Sequence, residues 1–262
     1  MIIKMKSFAD EMIMMKKTDN QERPVSPLTG NIQIFLLHPG FIRMFICCLM
    51  FSGILKSVSS ETGCLNHEMH SLLAFTSTLH DPLKSLASWN ASLSCCQWEG
   101  VSCDSRTGHV VAVDLHNCGL SGAFRPEELF VLRDLVSLNV SSNNFTGQRI
   151  PQELGLLKKM TYLNLSGAGF AGTIPWQLGN LSSLTVLDLS SSEPSMLASH
   201  DLSWLKSLTA LKHLSLDNVD LSAASSSWGQ PVSLLSDLRN LSMSNCGLTG
   251  SIPPSLQNLS SL

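Results

Sequence analysis

Short apolar segments recur at nearly constant spacing along residues 110–262. Each segment places an apolar residue on either side of one other residue, an alternation that predicts a short strand with both apolar side chains on one face. Successive segments start 24 to 27 residues apart. The first apolar residues of the six segments are Val113, Leu138, Leu163, Leu187, Leu214 and Leu241.

A second pattern, a leucine at every third position, precedes several of these segments. Examples are the series Leu129, Leu132, Leu135 and the series Leu178, Leu181, Leu184. This spacing is typical of 3₁₀-like turns, in which residues i and i+3 align. A unit of strand, turn and return path cannot bury its leucine face alone. We therefore predict an α/β repeat solenoid whose parallel strands stack about 4.8 Å apart.

The repeats and the segment before them resemble plant leucine-rich-repeat receptors. The repeats carry the plant-type extension Gly-x-Ile-Pro at Gly172–Pro175 and Gly250–Pro253. The preceding stretch, which includes CCQWEGVSC (Cys95–Cys103), is similar to the N-terminal cap of these receptors. The 27-residue copies, which include the segment Asp201–Ser222, are similar to receptor-like proteins of the fungal-xylanase-elicitor and Cf resistance type. The resemblance covers residues 64–262 and implies a right-handed leucine-rich-repeat superhelix with a concave parallel β-sheet and a disulfide-bonded cap.

The predicted cap combines a helix with a hairpin. Apolar residues over His67–Leu79 recur at helical spacing, and the Asp-Pro pair that follows ends the pattern. Trp89 and Trp98 are expected in the core, where they cover the first repeat. The segments Trp98–Cys103 and His109–Val113 flank a turn and are predicted to pair.

Four segments are expected along the chain. Residues 1–43 are polar and mixed in charge, and we interpret them as an extension that is disordered or absent from the natural product. Residues 44–60 are interpreted as a signal peptide cleaved near Ser59, because their apolar run is too short for a membrane span. A buried core helix and a retained signal anchor are the alternatives for this run. Residues 61–109 form the cap, and residues 110–262 form about six repeats, the last of them incomplete.

Four clustered cysteines predict two disulfides in a secreted chain. They are Cys64, Cys95, Cys96 and Cys103. Spacing alone leaves three pairings open. A zinc site is the rival interpretation, although the cluster lacks the paired Cys-x2-Cys knuckles of an all-thiolate zinc site. The resemblance implies the pairs Cys64–Cys95 and Cys96–Cys103, and no cofactor or metal is expected.

The residue at the sixth position of each repeat affects how regular the backbone hydrogen bonding is in the turn after the strand. The resemblance implies an inward Asn or Cys here, and only one copy has Asn, so we expect less regular backbone hydrogen bonding. The two cysteines at this position lie about 24 Å apart by strand spacing, too far for a disulfide. They are predicted to be buried free thiols. The residues at this position are Cys118, Asn143, Ala168, Ser192, Val219 and Cys246.

Asn-x-Ser/Thr sequons predict N-glycosylation in a secreted chain. Their number overstates the signal, because the repeat itself favours Asn-Leu-Ser. Asn139 and Asn164 fall on the concave face, which a glycan would obstruct. Asn180 and Asn258 fall on the return path and are the more favourable sites. The candidate glycosylation sites are Asn90, Asn139, Asn144, Asn164, Asn180, Asn240 and Asn258.

Charge and motif context argue against several functions. The formal net charge of −3 does not suit a nucleic-acid partner. GAGFAG (Gly167–Gly172) fits a dinucleotide-binding pattern, but it is in phase with the repeats and too few residues follow for a crossover helix. His67 and His70 have no evident third metal ligand, so we interpret them as a solvated helix start. The chain has no nucleophile-elbow motif or kinase signature and is not expected to be an enzyme.

The outward residues of the parallel strands form the expected binding site. This face is polar and weakly acidic, and it suits a peptide or protein ligand held by hydrogen bonds. The candidate ligand-binding residues are Asp114, His116, Asn117, Ser141, Ser142, Asp217 and Asn218.

The resemblance implies the extracellular ligand-recognition module of a plant cell-surface receptor-like protein in immune signalling, with a co-receptor kinase as partner. The expected location is the secretory pathway and then the plasma membrane or apoplast. Membrane attachment is expected only through sequence after residue 262 or an uncleaved signal. An exposed leucine face without a lid also leads us to expect a fragment. The alternative is a secreted inhibitor or decoy resembling polygalacturonase-inhibiting proteins.

Overall fold

The repeats coil so that their strands build one main sheet. The computed structural model describes residues 63–192 and 196–259, so the predicted extension 1–43 and signal peptide 44–60 lie outside the described residues. The α-helices are α1 (Asn66–Thr76) and α2 (Gly229–Val232). The strands are β1 (Leu79–His80), β2 (Val101–Cys103), β3 (Val110–Asp114), β4 (Ser121–Gly122), β5 (Ser137–Asn139), β6 (Tyr162–Asn164), β7 (Gly172–Thr173), β8 (Val186–Asp188), β9 (Leu197–Ala198), β10 (His213–Ser215) and β11 (Asn240–Ser242).

The six predicted strands lie side by side in the predicted register. The main sheet has the order β11-β10-β8-β6-β5-β3-β2, and all neighbours from β3 to β11 are parallel. The first apolar residue of each repeat is the direct partner of its counterpart in the next repeat, from Val113 and Leu138 at one end to Leu214 and Leu241 at the other. The solenoid prediction is confirmed.

Short 3₁₀ helices form the return path of each coil. Their central leucines, such as Leu154 and Leu178, are fully buried, as the three-residue ladder predicts. Close stacking of these helices requires a small residue, because a Cβ added to Gly179 would lie 2.4 Å from the carbonyl oxygen of Trp204. The 3₁₀ helices are Cys95–Gln97, Pro126–Val131, Gln152–Leu156, Trp176–Asn180, Ser203–Ser207, Ser222–Ala224 and Pro254–Asn258.

The cap extends the main sheet by one antiparallel strand. β2 pairs with β3 through Val101–Val113 and Ser102–Ala112, which confirms the predicted hairpin. Trp89 and Trp98 are buried and stack with ring centroids 5.1 Å apart. The Trp89 indole N–H also donates to the Glu99 carbonyl oxygen at 2.8 Å, so the ring is both packed and hydrogen-bonded.

Helix α1 ends earlier than the apolar pattern predicts. The pattern extends to Leu79, whereas the helix stops at Thr76. Leu79 instead belongs to β1, which pairs with β4 in antiparallel orientation. The pairing of Leu79 with Gly122, distant in sequence, therefore overrides the local helical pattern at this end.

The first turn of α1 contains a buried carboxylate between two exposed histidines. Glu68 is only 1% exposed, whereas His67 and His70 are exposed, as a solvated helix start predicts. Its carboxylate accepts hydrogen bonds from His109 Nδ1 at 2.8 Å and from the Val110 backbone N–H at 2.7 Å. Glu68 thus joins the cap helix to the first strand of the repeats.

An aromatic cluster links the cap to the first three repeats. Phe75 of α1 meets Phe124 edge to face at 5.7 Å, and Phe124 contacts both Phe145 and Phe170 at 5.2 Å. Since all four rings are buried, this cluster continues the core across the boundary between cap and repeats.

The turn after each strand is more regular than the scarcity of Asn predicts. Asn143 accepts from the Leu120 backbone N–H at 2.9 Å. Where the sixth residue is Ala168 or Cys246, its own carbonyl oxygen accepts the equivalent N–H, at 2.7 Å from Phe145 and 2.8 Å from Leu221. The expected irregularity is therefore wrong for these turns, because a backbone acceptor replaces the side chain.

The two cysteines at the sixth position form no disulfide, but they differ in burial. Cys246 is buried, as predicted, and burial raises the pKa of its thiol to about 11. Cys118 is only half-buried, which corrects the prediction of two buried thiols. Cys118 lies in the first repeat, where the neighbouring coil is replaced by the cap segment around Ser85, whose hydroxyl donates to the Cys118 carbonyl oxygen at 3.1 Å.

Candidate ligand-binding face

The outward side chains of the main sheet form three parallel rows, which together we call the concave face. The strand pairings align the first two rows from repeat to repeat, and the third follows at the strand ends. Row one is Ala112, Ser137, Tyr162, Val186, His213 and Asn240. Row two is Asp114, Asn139, Asn164, Asp188, Ser215 and Ser242. Row three is His116, Ser141, Ser166, Ser190, Asp217 and Ser244.

Most of the predicted ligand-binding residues are accessible, but Ser141 is not. Asp114, His116, Asn117 and Ser142 are exposed, and Asp217 and Asn218 are half-buried. Ser141 is only 7% exposed, because its short side chain folds back and donates to Asn139 Oδ1 at 2.7 Å. The expectation that the Ser141 side chain is open to a ligand is therefore corrected: it presents almost no surface.

Three predicted ligand-binding residues occupy a strained turn position. Asn117, Ser142 and Asn218 have φ of 52°, 56° and 61°, in the left-handed region. Gly167 adopts φ of 61° at the same repeat position. Asn and Gly tolerate this conformation best. The backbone turn thus accounts for Asn117, Gly167 and Asn218, whether or not a ligand contacts them, but it does not account for Ser142.

One end of the concave face is held by hydrogen bonds between neighbouring repeats. Asp217 accepts from the Ser242 hydroxyl at 2.7 Å and from the Ser244 backbone N–H at 2.6 Å. Next to this pair, Asn245 Nδ2 donates to Asn218 Oδ1 at 2.9 Å. These polar side chains are held in place before any ligand arrives, which lowers the entropic cost of binding.

Row one was not among the predicted ligand-binding residues. It brings half-buried Tyr162 and His213 onto the face, and His213 Nδ1 lies 2.8 Å from Asn240 Nδ2. Burial raises the pKa of Tyr162, and burial followed by the charge of Arg239 lowers the pKa of His213. Both shifts favour the neutral form of the side chain. The signal was present in the sequence, because strand alternation continues to the residue before the first apolar one.

The concave face is weakly acidic. Asp114, Asp188 and Asp217 lie in rows two and three, and the three rows contain no Lys or Arg. Side chains that surround these carboxylates are mainly Ser and Asn, which both donate and accept hydrogen bonds. Such a surface can bind a polar ligand of neutral or positive charge.

The sequons occupy different faces of the coil. Asn139 and Asn164 lie half-buried in row two, where their Oδ1 atoms accept from the Ser two residues later. Asn240 lies in row one, and Asn90 lies half-buried in the cap. Asn144 and Asn180 are exposed outside the three rows, while Asn258 ends the last 3₁₀ helix.

Two pairs of cysteines are joined in the cap. The structure links Cys64 to Cys95 and Cys96 to Cys103, with Cα–Cα distances of 5.4 and 5.5 Å, the pairs that the resemblance implies. The sulfur atoms of Cys64, Cys95 and Cys96 lie within 4.8 Å of one another, an arrangement that could suggest a metal site. Each of these sulfurs is already bonded in a disulfide and is not a thiolate ligand.

The dinucleotide-like motif lies in a turn of the repeat rather than before a helix. Gly167 takes the left-handed turn position, and Gly172 lies in β7, which pairs with β9. The next element is the short 3₁₀ helix Trp176–Asn180. Within residues 63–192 and 196–259, no helix is long and apolar enough to cross a membrane.

Comparison with protein families supports the repeat assignment. Residues 65–104 match the Leucine rich repeat N-terminal domain, and residues 237–259 match the Leucine Rich Repeat. Receptor-like protein 3 of Arabidopsis thaliana is 30% identical over 132 residues, which cover 50% of this chain and 16% of that protein. Receptor-like protein Cf-9 of Solanum pimpinellifolium is 52% identical over 61 residues, which cover 23% of this chain and 7% of that protein. The chain thus spans a sixth or less of these two relatives.

Solved structures with the same fold include plant receptor ectodomains. The BIR2 ectodomain of Arabidopsis thaliana is 31% identical and superposes with a TM-score of 0.53, covering 58% of this chain and 80% of that one. The Arabidopsis receptor kinase HAESA, in complex with the peptide hormone IDA and the co-receptor SERK1, is 30% identical with a TM-score of 0.57, covering 76% of this chain and 37% of that one. Cap, in-register repeats and relatives agree, and the chain belongs to the plant leucine-rich-repeat receptor-like proteins.

Proposed function

We propose that this chain is an extracellular ligand-recognition segment of a plant cell-surface receptor-like protein, and that its concave face binds a peptide or protein ligand. The observation that carries the proposal is the six-repeat parallel register, which aligns polar side chains into three continuous rows. With strands about 4.8 Å apart, the six rungs extend about 24 Å, the length of roughly seven extended peptide residues.

The chemistry of the rows favours a particular kind of peptide. Ser and Asn side chains pair with the amide groups of an extended main chain. Asp114 and Asp188, with no Lys or Arg in the rows, favour a ligand without net negative charge. The solved complex of HAESA with a peptide hormone and a co-receptor supports a peptide as the class of ligand, and we propose a co-receptor kinase as a further partner.

We also propose a role in immune signalling, which the resemblance of the 27-residue copies to the Cf resistance type supports. In this scheme residues 44–60 direct the chain into the secretory pathway, residues 61–109 cap the coil and residues 110–262 supply the repeats. The mature protein then resides at the plasma membrane or in the apoplast. Fractionation of plant tissue distinguishes the two: a membrane-bound longer product fits a receptor, and a free cell-wall protein fits a secreted inhibitor.

Ligand binding is tested with a displayed library of random heptapeptides. Peptides are selected on the full chain secreted from plant cells. The affinity of each selected peptide is then compared between the unchanged chain and its variants. In the unchanged chain, the Ser190 N–H donates to Asp188 Oδ1 at 3.0 Å. Asp188→Asn keeps an oxygen that can accept this hydrogen bond but removes the negative charge. We expect it to weaken binding of selected basic peptides about tenfold, equal to roughly 1.4 kcal/mol.

A matched control is Glu153→Gln, which removes a carboxylate from the exposed 3₁₀ helix outside the concave face. We expect this variant to bind the selected peptides as the unchanged chain does. Equal weakening by both variants, or enrichment of acidic peptides only, would contradict the proposed face.

A further inference from the structure

One large aromatic side chain lies exposed on the return path, away from the concave face. Trp176 is 66% exposed, whereas Trp89, Trp98 and Trp204 are each 7% exposed or less. Trp176 begins the 3₁₀ helix that ends at Asn180. A single exposed apolar side chain is ordinary by itself, so the surroundings of the indole decide whether it has a role.

The indole forms one wall of a shallow hollow that also contains a sequon asparagine. Trp176 and Asn180 line this hollow together, and its remaining rim includes the polar residues Asp201, Ser203 and Ser207. Its volume of about 390 Å³ falls in the range of small-ligand sites. The hollow therefore combines an aromatic face with hydrogen-bonding groups along one edge.

This combination fits a pyranose sugar. One face of such a ring presents C–H groups that pack on an indole, and the edge presents hydroxyls. Asp201 is well suited to accept from them, because hydrogen bonds from the hydroxyl and backbone N–H of Ser203 lower the pKa of its carboxyl. The Ser203 N–H donates to Asp201 Oδ1 at 2.7 Å, which fixes the carboxylate at the rim.

The sequence provides a tethered sugar at this place. Asn180, Leu181 and Ser182 form an Asn-x-Ser sequon, and Asn180 is exposed. The exposed sequon at Asn144 lacks the same aromatic neighbour, since the adjacent Phe145 is only 1% exposed. Attachment through Asn180 Nδ2 places the first sugar of a glycan at the hollow without a separate binding event.

We propose that Asn180 is N-glycosylated and that its first N-acetylglucosamine lies on the indole face of Trp176, with hydroxyls toward Asp201. The inference rests on the extracellular role proposed above, because only the secretory pathway attaches this glycan. The seated sugar covers the exposed ring and joins two successive coils of the solenoid.

The test uses the full chain secreted from cells that make high-mannose glycans, trimmed enzymatically to one N-acetylglucosamine per site. Glycopeptide mass spectrometry reads the occupancy of Asn180. Proton NMR reads the acetyl methyl signals, and ring current from the indole shifts the methyl group of a stacked sugar upfield. We expect one shifted signal, which disappears in Trp176→Ala and in Ser182→Ala but remains in Asn144→Gln.

Thermal unfolding provides the second readout. Ser182→Ala, which removes the glycan but not the ring, is expected to lower Tm by about 2–4 °C. The same change in a Trp176→Ala background is expected to have no effect, because the contact is already lost. An unshifted methyl signal, or a Tm change that persists without Trp176, overturns the seating. A chain glycosylated elsewhere but bare at Asn180 overturns this inference alone, while a chain without any glycan contradicts the extracellular location as well.

Discussion

Asn143 offers a sharp test of how the turns of the solenoid are held. Its side chain is 8% exposed and bridges two repeats. Asn143 Oδ1 accepts from the Leu120 N–H at 2.9 Å, and Nδ2 donates to the carbonyl oxygens of Leu115 at 2.7 Å and Val140 at 2.9 Å. The substitution Asn143→Ala removes all of these contacts and adds no new group.

The expected loss follows from the group that is left without a partner. A buried N–H with no acceptor costs about 1–3 kcal/mol, and each lost hydrogen bond costs about 1 kcal/mol. Because the Leu120 N–H is buried and both carbonyl groups lose a donor, we expect the free energy of unfolding to fall by about 2–4 kcal/mol. This is a large part of the stability of an ordinary domain.

The assay is urea unfolding of protein made in the bacterial periplasm, where disulfides form and N-glycans do not. The control is Asn144→Ala, the neighbouring exposed asparagine, for which we expect a change within about 0.5 kcal/mol. A loss below about 1 kcal/mol for Asn143→Ala would refute the reasoning. It would mean that the Leu120 N–H moves to the carbonyl oxygen of residue 143, as the Phe145 N–H already bonds to Ala168.

Three further outcomes are expected. Leu163→Ala removes a fully buried side chain from a central strand and should lower the free energy of unfolding by about 2–5 kcal/mol in urea titrations. The hydrogen bond to Glu68 raises the pKa of His109, so the stability that protonated His109 adds is full below about pH 6.5 and is lost as pH rises through its folded pKa. Timed alkylation of the native chain at pH 8 should label half-buried Cys118 before Cys246, whose pKa is about 11.

Each of these outcomes has a matched control. Leu156→Ala removes the same side chain from a site that is 56% exposed and should have little effect. His109→Gln should abolish that part of the pH dependence of Tm, and an unchanged profile would contradict the role of the Glu68 contact. Equal alkylation rates for the two thiols would show that the coil opens at Cys246 faster than the reagent reacts.

The solenoid could be predicted because its determinants are local and repeated. Alternation at Leu163 and Leu187 specifies a strand, and the constant spacing specifies which strands are neighbours. A single repeat gives a weak signal. Over six repeats the register is specified strongly, because a shift would displace every leucine from the core. The hairpin of Trp98–Cys103 with His109–Val113 could also be predicted from local sequence, because its two strands are close along the chain.

Contacts between distant segments could not be predicted from the pattern. Glu68 reads as a polar residue at a helix start, and only the approach of His109 and Val110 explains its burial. The apolar pattern continues past the end of α1 because it does not show that Leu79 pairs with Gly122. Strand alternation points Ser141 outward but does not show that its side chain folds onto Asn139.

For this chain the sequence by itself determined the repeat, its register and the polar rows, because each depends on periodicity within about 25 residues. Only the tertiary structure decided which side chains are buried by, or hydrogen-bonded to, a neighbouring coil or the cap. Glu68 became buried against the first repeat, Cys118 lost part of its burial, and Trp176 came to share a hollow with Asp201. Burial and hydrogen bonding depend on what the neighbouring coil or the cap presents, and a one-dimensional pattern does not contain that information.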